Sequence, residues 1–206
     1  MTLEDRRAGS RIVLVRHGQT EWSLSGQHTS VTDLPLTAVG EDEARDVGRA
    51  LRSREFGLVL SSPRQRALRS AQLAGFADVV QIEPNLVEWD YGAYEGITTK
   101  QIIAQSGAPW DLWVDGVPSG DSPGENAEQV QRRAHAVIAR ALPELDSGRS
   151  VLLVAHGHIL RAIAVAWVGL PADAGTIFAL STSTVSELGF EHERQAIVTW
   201  NAPVAH

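Results

Sequence analysis

Two apolar runs of β-forming residues each end in His-Gly. Ile12 to Val15 runs into Arg16-His17-Gly18, and Val151 to Val154 runs into Ala155-His156-Gly157-His158. An imidazole beside a planar, permanently charged guanidinium is a nucleophile suited to phosphorus. In open α/β sheets, ligands bind at the carboxyl ends of the strands, so both histidines open into one pocket if their strands are neighbours. Another strand, Leu58-Val59-Leu60, ends in Ser61-Ser62-Pro63 and projects Arg66 from the first turn of the following helix. Arg16, Arg66, two imidazoles and helix N-termini then converge on a site that attracts a dianion.

The elements that must hold these residues alternate along the chain. After the first strand comes a polar loop, Glu21 to Leu36, and then a helix from an N-cap at Thr37 to about Arg54. The strand ending at Ser61 leads into a helix ending near Gly75, and Val79 to Ile82 is a third short strand. The segment Asn85 to Gly96 crowds aromatic and acidic residues into a loop, which suits a site wall or lid. Three prolines and four glycines make 107–124 mostly loop. Gly124-Glu125-Asn126 opens a helix to about Leu142. A further helix follows His158, from about Ile159 to Val168, and a hairpin spans Thr184 to Trp200. This alternation predicts a three-layer α/β sandwich with a mainly parallel central sheet.

At 206 residues the chain can bury one core, with room for a cap insertion. A net charge of −7 argues against a nucleic-acid surface, and Lys100 is the only lysine. The absence of cysteine excludes disulfides and thiol catalysis. The start of the chain carries no apolar signal segment, and the longest apolar stretch, 151–170, holds His156, His158 and Arg161. A cytoplasmic location, with no membrane partner, is the resulting expectation.

The blocks Leu14-Val15-Arg16-His17-Gly18-Gln19-Thr20-Glu21-Trp22, Ser61-Ser62-Pro63-Arg64-Gln65-Arg66-Ala67, Leu86 to Gly96, Gly124-Glu125-Asn126 and Val154 to His158 resemble the histidine phosphatase superfamily, branch 1. These are the phosphoglycerate mutase-like proteins. The blocks fall in the family's order and cover nearly the whole chain. The resemblance implies a single domain over 1–206, with a small loop and helix cap at roughly 85–125. It implies His17 as the nucleophile that becomes a phosphohistidine, with Arg16, Arg66 and His156 neutralising the phosphoryl oxygens. Gln19, Ser23 and the Gly157 amide add hydrogen bonds at the rim, and Thr29 matches a contact position. Glu88 is the implied general acid and base, which calls for a raised pKa and an acidic optimum. No metal or other cofactor is implied, and a homodimer is a family-level expectation. Ser23 replaces a common Asn, and Asn126 replaces a common Ser.

Several residues stay open between two roles. Tyr91 and His158 either line the pocket or pack beneath it. His28 either contacts substrate or covers the site, and Glu95 is expected to anchor the loop rather than catalyse. Arg64 and Arg69 read as solvated helix charges, and His135, His192 and His206 as surface. A metal hydrolase built on His156 and His158 lacks a third ligand at suitable spacing. A silent binding module is disfavoured by the presence of both His17 and Glu88.

Within the family, the mutases carry a paired-arginine motif after the acidic loop. Trp110 to Gly116 has no arginine, which favours hydrolysis and the likeness to small bacterial acid phosphatases of broad specificity. A cofactor-dependent phosphoglycerate mutase and a sugar-phosphate-specific phosphatase are the alternatives. The loops expected to hold the leaving group, 27–34, 88–96 and 107–124, are aromatic and acidic. They predict a preference for neutral small monophosphates over bisphosphates.

Overall fold

The computed structural model describes residues 2–204, so His206 lies outside the described residues. In chain order the elements are α1 (Leu3–Gly9), β1 (Ile12–Arg16), α2 (Glu21–Ser25), α3 (Ala38–Leu51), β2 (Phe56–Ser61), α4 (Gln65–Ala71) and β3 (Val80–Ile82). They continue with α5 (Thr99–Ser106), α6 (Leu112–Asp115), α7 (Ala127–Asp146), β4 (Ser150–Ala155), α8 (Gly157–Trp167), β5 (Val185–Glu191) and β6 (Arg194–Ala202).

The six strands form one sheet in the order β3-β2-β4-β1-β5-β6. The first four are parallel to their neighbours, and β5 and β6 close one edge as an antiparallel pair. Strand residues alternate between faces, and both faces are buried. Ile12, Leu14, Leu60 and Leu153 pack with Val130 and Val137 of α7 and Ile159 and Ile163 of α8. Val13, Val15, Val59 and Leu152 pack with Val47 and Leu51 of α3 and Ala71 of α4. Helices on both faces complete the three layers.

The register places the chemistry. Arg16 pairs with Ala155 across β1 and β4, so His17 and His156 are each one residue beyond a paired position. The next pair, Ser61 with Val154, sets Ser62 beside His156. All these positions lie at the carboxyl end of the parallel strands.

Local differences from the sequence expectation have simple causes. The segment 21–36 is not wholly loop, because Thr20 and Ser23 form a reciprocal cap that starts α2. The same device, Thr98 with Gln101, starts α5, and Asp111 caps α6 inside the expected loop. Helix α7 runs past Leu142 and through Pro143 to Asp146. The fully buried Leu145 continues its apolar stripe, which offsets the roughly 3 kcal/mol cost of an internal proline. Pro63 lies before α4 rather than in its first turn, and Arg64 takes the N-cap position without a side-chain cap bond.

Two glycines let the loop after β1 press against the start of α3. A Cβ on Gly40 would lie 2.1 Å from the Gln19 carbonyl oxygen, and one on Gly18 would lie 2.2 Å from the Gly40 carbonyl oxygen. An Ala in a helix interior ordinarily beats Gly by about 1 kcal/mol. Here the clash is backbone against backbone. Gly40→Ala is therefore expected to destabilise by about 1–3 kcal/mol, as overpacking does. Denaturant unfolding checks the sign.

Candidate active site

The cleft over the strand ends has a cavity volume of about 190 Å³. Of the residues expected at the site, Arg16, His17, Ser23, Thr29, Glu88, Tyr91, Gly157 and His158 line it. Gln19, Arg66 and His156 do not, and each is held elsewhere by hydrogen bonds.

His17 is buried at the base of the cleft, 5 % exposed. Its Nδ1 lies 2.7 Å from the Gly18 carbonyl oxygen. A carbonyl can only accept, so Nδ1 carries the proton and Nε2 keeps a bare lone pair. Burial, then the charges of Arg66 and Arg16, lower the His17 pKa to about 3. The imidazole is thus neutral at any ordinary pH. Arg16, next in the chain, donates to the Leu180 carbonyl at 2.5 Å through Nη1. Its Nε is buried with no hydrogen-bond partner.

His156 is held from both sides. Its Nδ1 accepts from Arg66 Nε at 3.2 Å, and its Nε2 lies 2.8 Å from Ser62 Oγ. An Nδ1 that accepts leaves the proton on Nε2, so Ser62 receives it and the ring is neutral. Burial and the Arg66 charge hold its pKa well below the ordinary value. Its ring centroid lies 5.1 Å from that of His17, edge to face. Both nitrogens are therefore occupied within the wall behind His17, rather than facing the cleft.

Arg66 is fully buried, and its remaining donors reach the carbonyls of Thr29, Ser30 and Thr32. The Glu95 carboxylate accepts from the N–H groups of Ser30 and Thr32. A cation on the carbonyls and an anion on the amides thus clamp one loop from two sides. This loop carries Thr29 into the cleft wall, and Glu95 anchors it. Gln19 is turned away, its side-chain oxygen accepting from the Thr37 hydroxyl and its N–H donating to Glu43. Ser23 lines the cleft, but its hydroxyl is engaged with Thr20 in the cap of α2.

Glu88 departs from expectation in its charge. Its carboxylate accepts the N–H groups of Trp89, His158 and Ile159 at 2.9–3.0 Å, the last two at the N-terminus of α8. Burial acts to raise its pKa. Hydrogen bonds from the His158 side chain and N–H outweigh burial and hold it well below the usual carboxylate value. This direction is opposite to the raised pKa expected of a general acid. The backbone around Glu88 is fixed by Arg133 of α7, which donates to the Val87 and Glu88 carbonyls and grips Glu125 with two nitrogens. Glu125 accepts the Asp90 N–H in turn, which explains the Gly124-Glu125-Asn126 block.

The roof is aromatic. Tyr91 Oη and His158 Nδ1 are 2.7 Å apart, and that nitrogen is 3.6 Å from Glu88 Oε2. His28 lies against Tyr91 and Trp110, with ring centroids 4.7 and 5.6 Å away. Burial, then His158, lowers the His28 pKa to about 4, so it too is neutral. Burial and the Glu88 charge hold the Tyr91 hydroxyl well above its ordinary value.

Trp22, Arg161 and Leu180 also line the cleft and were missed as site residues, and Gln27 lines it as part of the expected 27–34 loop. Arg161 had a legible signal. It lies four residues after Gly157 and three after His158, on the same face of α8. Its presence removes the premise that few positive charges face the leaving group. Among the described residues, no group of three or more His, Asp or Glu could hold a metal ion, and no helix is long and apolar enough to cross a membrane.

The family model for the histidine phosphatase superfamily (branch 1) matches residues 12–203. An acid phosphatase of Mycobacterium tuberculosis is 43 % identical over 88 % of this chain and 87 % of its own. A sedoheptulose 1,7-bisphosphatase of Saccharomyces cerevisiae is 36 % identical over 78 % of this chain and 68 % of its own. The solved structure of the Mycobacterium tuberculosis open reading frame Rv3214 superposes with a TM-score of 0.88 at 39 % identity, covering 95 % of this chain and 99 % of that one.

Proposed function

The chain belongs to the histidine phosphatase superfamily, branch 1, as a phosphoric monoester hydrolase, and we propose that it cleaves small phosphate esters by passing the phosphoryl group to His17 and then to water. The observation that carries this reading is the bare Nε2 of a neutral, buried imidazole, beside a guanidinium whose Nε has no partner.

In the first step the Nε2 lone pair forms the N–P bond as the ester P–O bond breaks in line. Arg16 takes the phosphoryl oxygens, and the N-terminus of α8 at Gly157 and His158 adds backbone donors and a favourable dipole. Arg66 and His156 are positioning residues in this scheme. Arg66 fixes the loop at 29–32 and its charge helps keep His17 unprotonated, and His156 holds the Arg66 Nε from behind His17. The departing alkoxide takes a proton from Glu88. In the second step Glu88 takes a proton from water as its oxygen attacks phosphorus, freeing inorganic phosphate and His17. The cap in this scheme is residues 85–125, within one domain over the whole chain. The arginine-free stretch Trp110 to Gly116 favours water over a second sugar acid as the acceptor.

Because the backbone hydrogen bonds it accepts favour the ionised form of Glu88, its proton arrives with the substrate. A phosphate monoester has a second pKa of about 6, so its monoanion brings one proton and its dianion brings none. Once bound, the phosphate's negative charge raises the pKa of Glu88. His17, with a pKa of about 3, is competent throughout. The expected result with an alkyl ester such as glycerol 3-phosphate in EDTA is full activity, with kcat/KM level from about pH 4 to 6 and falling about tenfold per unit above that. Loss of activity in EDTA would sink the metal-free reading. A rate rising towards pH 8 would remove Glu88 as the proton carrier.

A further inference from the structure

We propose that Arg161 forms a subsite for a second anionic group on the substrate, a carboxylate or a phosphate on the leaving group. The inference rests on the phosphatase reading of the same cleft. Arg161 lines that cleft one helical turn beyond the proposed phosphoryl pocket. Its guanidinium is built into place rather than solvated. Nε and Nη2 donate to the Gly175 carbonyl at 3.0 and 2.6 Å, and Nη2 also reaches the Thr176 carbonyl. The face of the guanidinium lies 5.1 Å from the Trp113 ring centroid.

Gly175 completes this mount. A Cβ there would lie 2.3 Å from the Trp113 ring, so no other residue lets the indole pack so closely against the segment whose carbonyl Arg161 uses. Carbonyls and an indole face satisfy hydrogen-bonding geometry but do not neutralise a charge. Among the described residues Glu88 and Asp111 act on Arg161 through space without a salt bridge to it, and its hydrogen bonds use Nε and Nη2 but not Nη1. A preorganised guanidinium with Nη1 left over and no carboxylate in direct contact, at the wall of a cleft, is arranged to receive an anion.

The distance fits a short bridge. Four residues of helix separate Gly157 from Arg161, a rise of roughly 6 Å. One end of α8 thus faces the reacting phosphoryl group, and the next turn faces whatever the leaving group carries. Glu88 lies between them and its charge favours the guanidinium, so a leaving group threads past the carboxyl that must protonate it.

The test compares matched pairs of esters. Glycerol 3-phosphate and 3-phosphoglycerate differ by a carboxylate, and fructose 6-phosphate and fructose 1,6-bisphosphate differ by a phosphate. In the wild type, kcat/KM is expected to favour the anionic member of at least one pair, and which pair responds distinguishes carboxylate from phosphate. Arg161→Met is expected to lower that ratio by about tenfold or more, mainly through KM, the loss of one charge-assisted hydrogen bond. Arg161→Lys, which keeps the charge and loses the fork, is expected to restore part of it, and it decides the matter if Arg161→Met fails to fold. Ratios unchanged by either variant would overturn the subsite. A wild-type enzyme that hydrolyses none of these esters, nor p-nitrophenyl phosphate, would overturn the phosphatase reading beneath it.

Discussion

His17→Ala is expected to lower kcat for every phosphomonoester by a factor on the order of 10⁴ or more, as removal of a covalent nucleophile does. No other group in the cleft replaces it. His156, the nearest imidazole, has both nitrogens committed to Arg66 and Ser62. The substitution removes one hydrogen bond, to the Gly18 carbonyl, so the fold should survive with a loss of about 1 kcal/mol. A second measurement separates nucleophile from bystander. Acid-labile, base-stable label should appear on the wild-type protein within the first turnovers of a radiolabelled ester, and should be absent from the variant. Added imidazole should return part of the turnover, because a diffusible nucleophile can enter the space left by the side chain. Turnover near the wild-type level, or label unchanged in the variant, would mean that phosphorus is attacked by something else.

Much of this site was legible because the sheet register is simple. Two His-Gly strand ends in parallel neighbours must fall side by side, and the Arg16–Ala155 pairing makes them do so. Arg66 was legible as a residue of the site but not in its direction. Nothing in Ser62-Pro63-Arg64-Gln65-Arg66 says that its donors go to the carbonyls of 29–32, because that loop comes from a distant part of the chain. Gln19 was misplaced for a similar reason, since the close approach of Gly18 and Gly40 turns its amide towards Thr37. Short helices such as Glu21–Ser25 and Leu112–Asp115 depend on single caps, which hydrophobic periodicity does not register. The charge of Glu88 was the deepest gap. Buried among aromatics, the residue read as a protonated acid. Its sequence neighbours could not reveal that the amides of His158 and Ile159, seventy residues away, would bind its oxygens.

Those same amides set the outcome for Glu88→Gln. The carboxylate accepts from three N–H groups, with Oε1 serving Trp89 and Ile159 and Oε2 serving His158. A Gln oxygen can take two of them, but its NH₂ then faces the His158 N–H, donor against donor, and no group remains to carry a proton. For alkyl phosphates, whose leaving oxygen must be protonated, kcat is expected to fall by about 10²–10⁴. For p-nitrophenyl phosphate the first step needs no proton, because the phenolate leaves as an anion. The second step still needs a base for water. The variant should therefore give a burst of nitrophenolate near one equivalent per site, followed by slow turnover, with phosphohistidine accumulating on His17. Equal losses on alkyl and aryl esters without a burst would assign Glu88 to holding the start of α8, and leave the proton to another group. A burst confined to the aryl ester separates the two jobs of one carboxyl, as acid in the first step and base in the second. The backbone amides hold this carboxyl ionised, so the proton it gives in the first step comes from the substrate's phosphate, and the one it takes in the second comes from water.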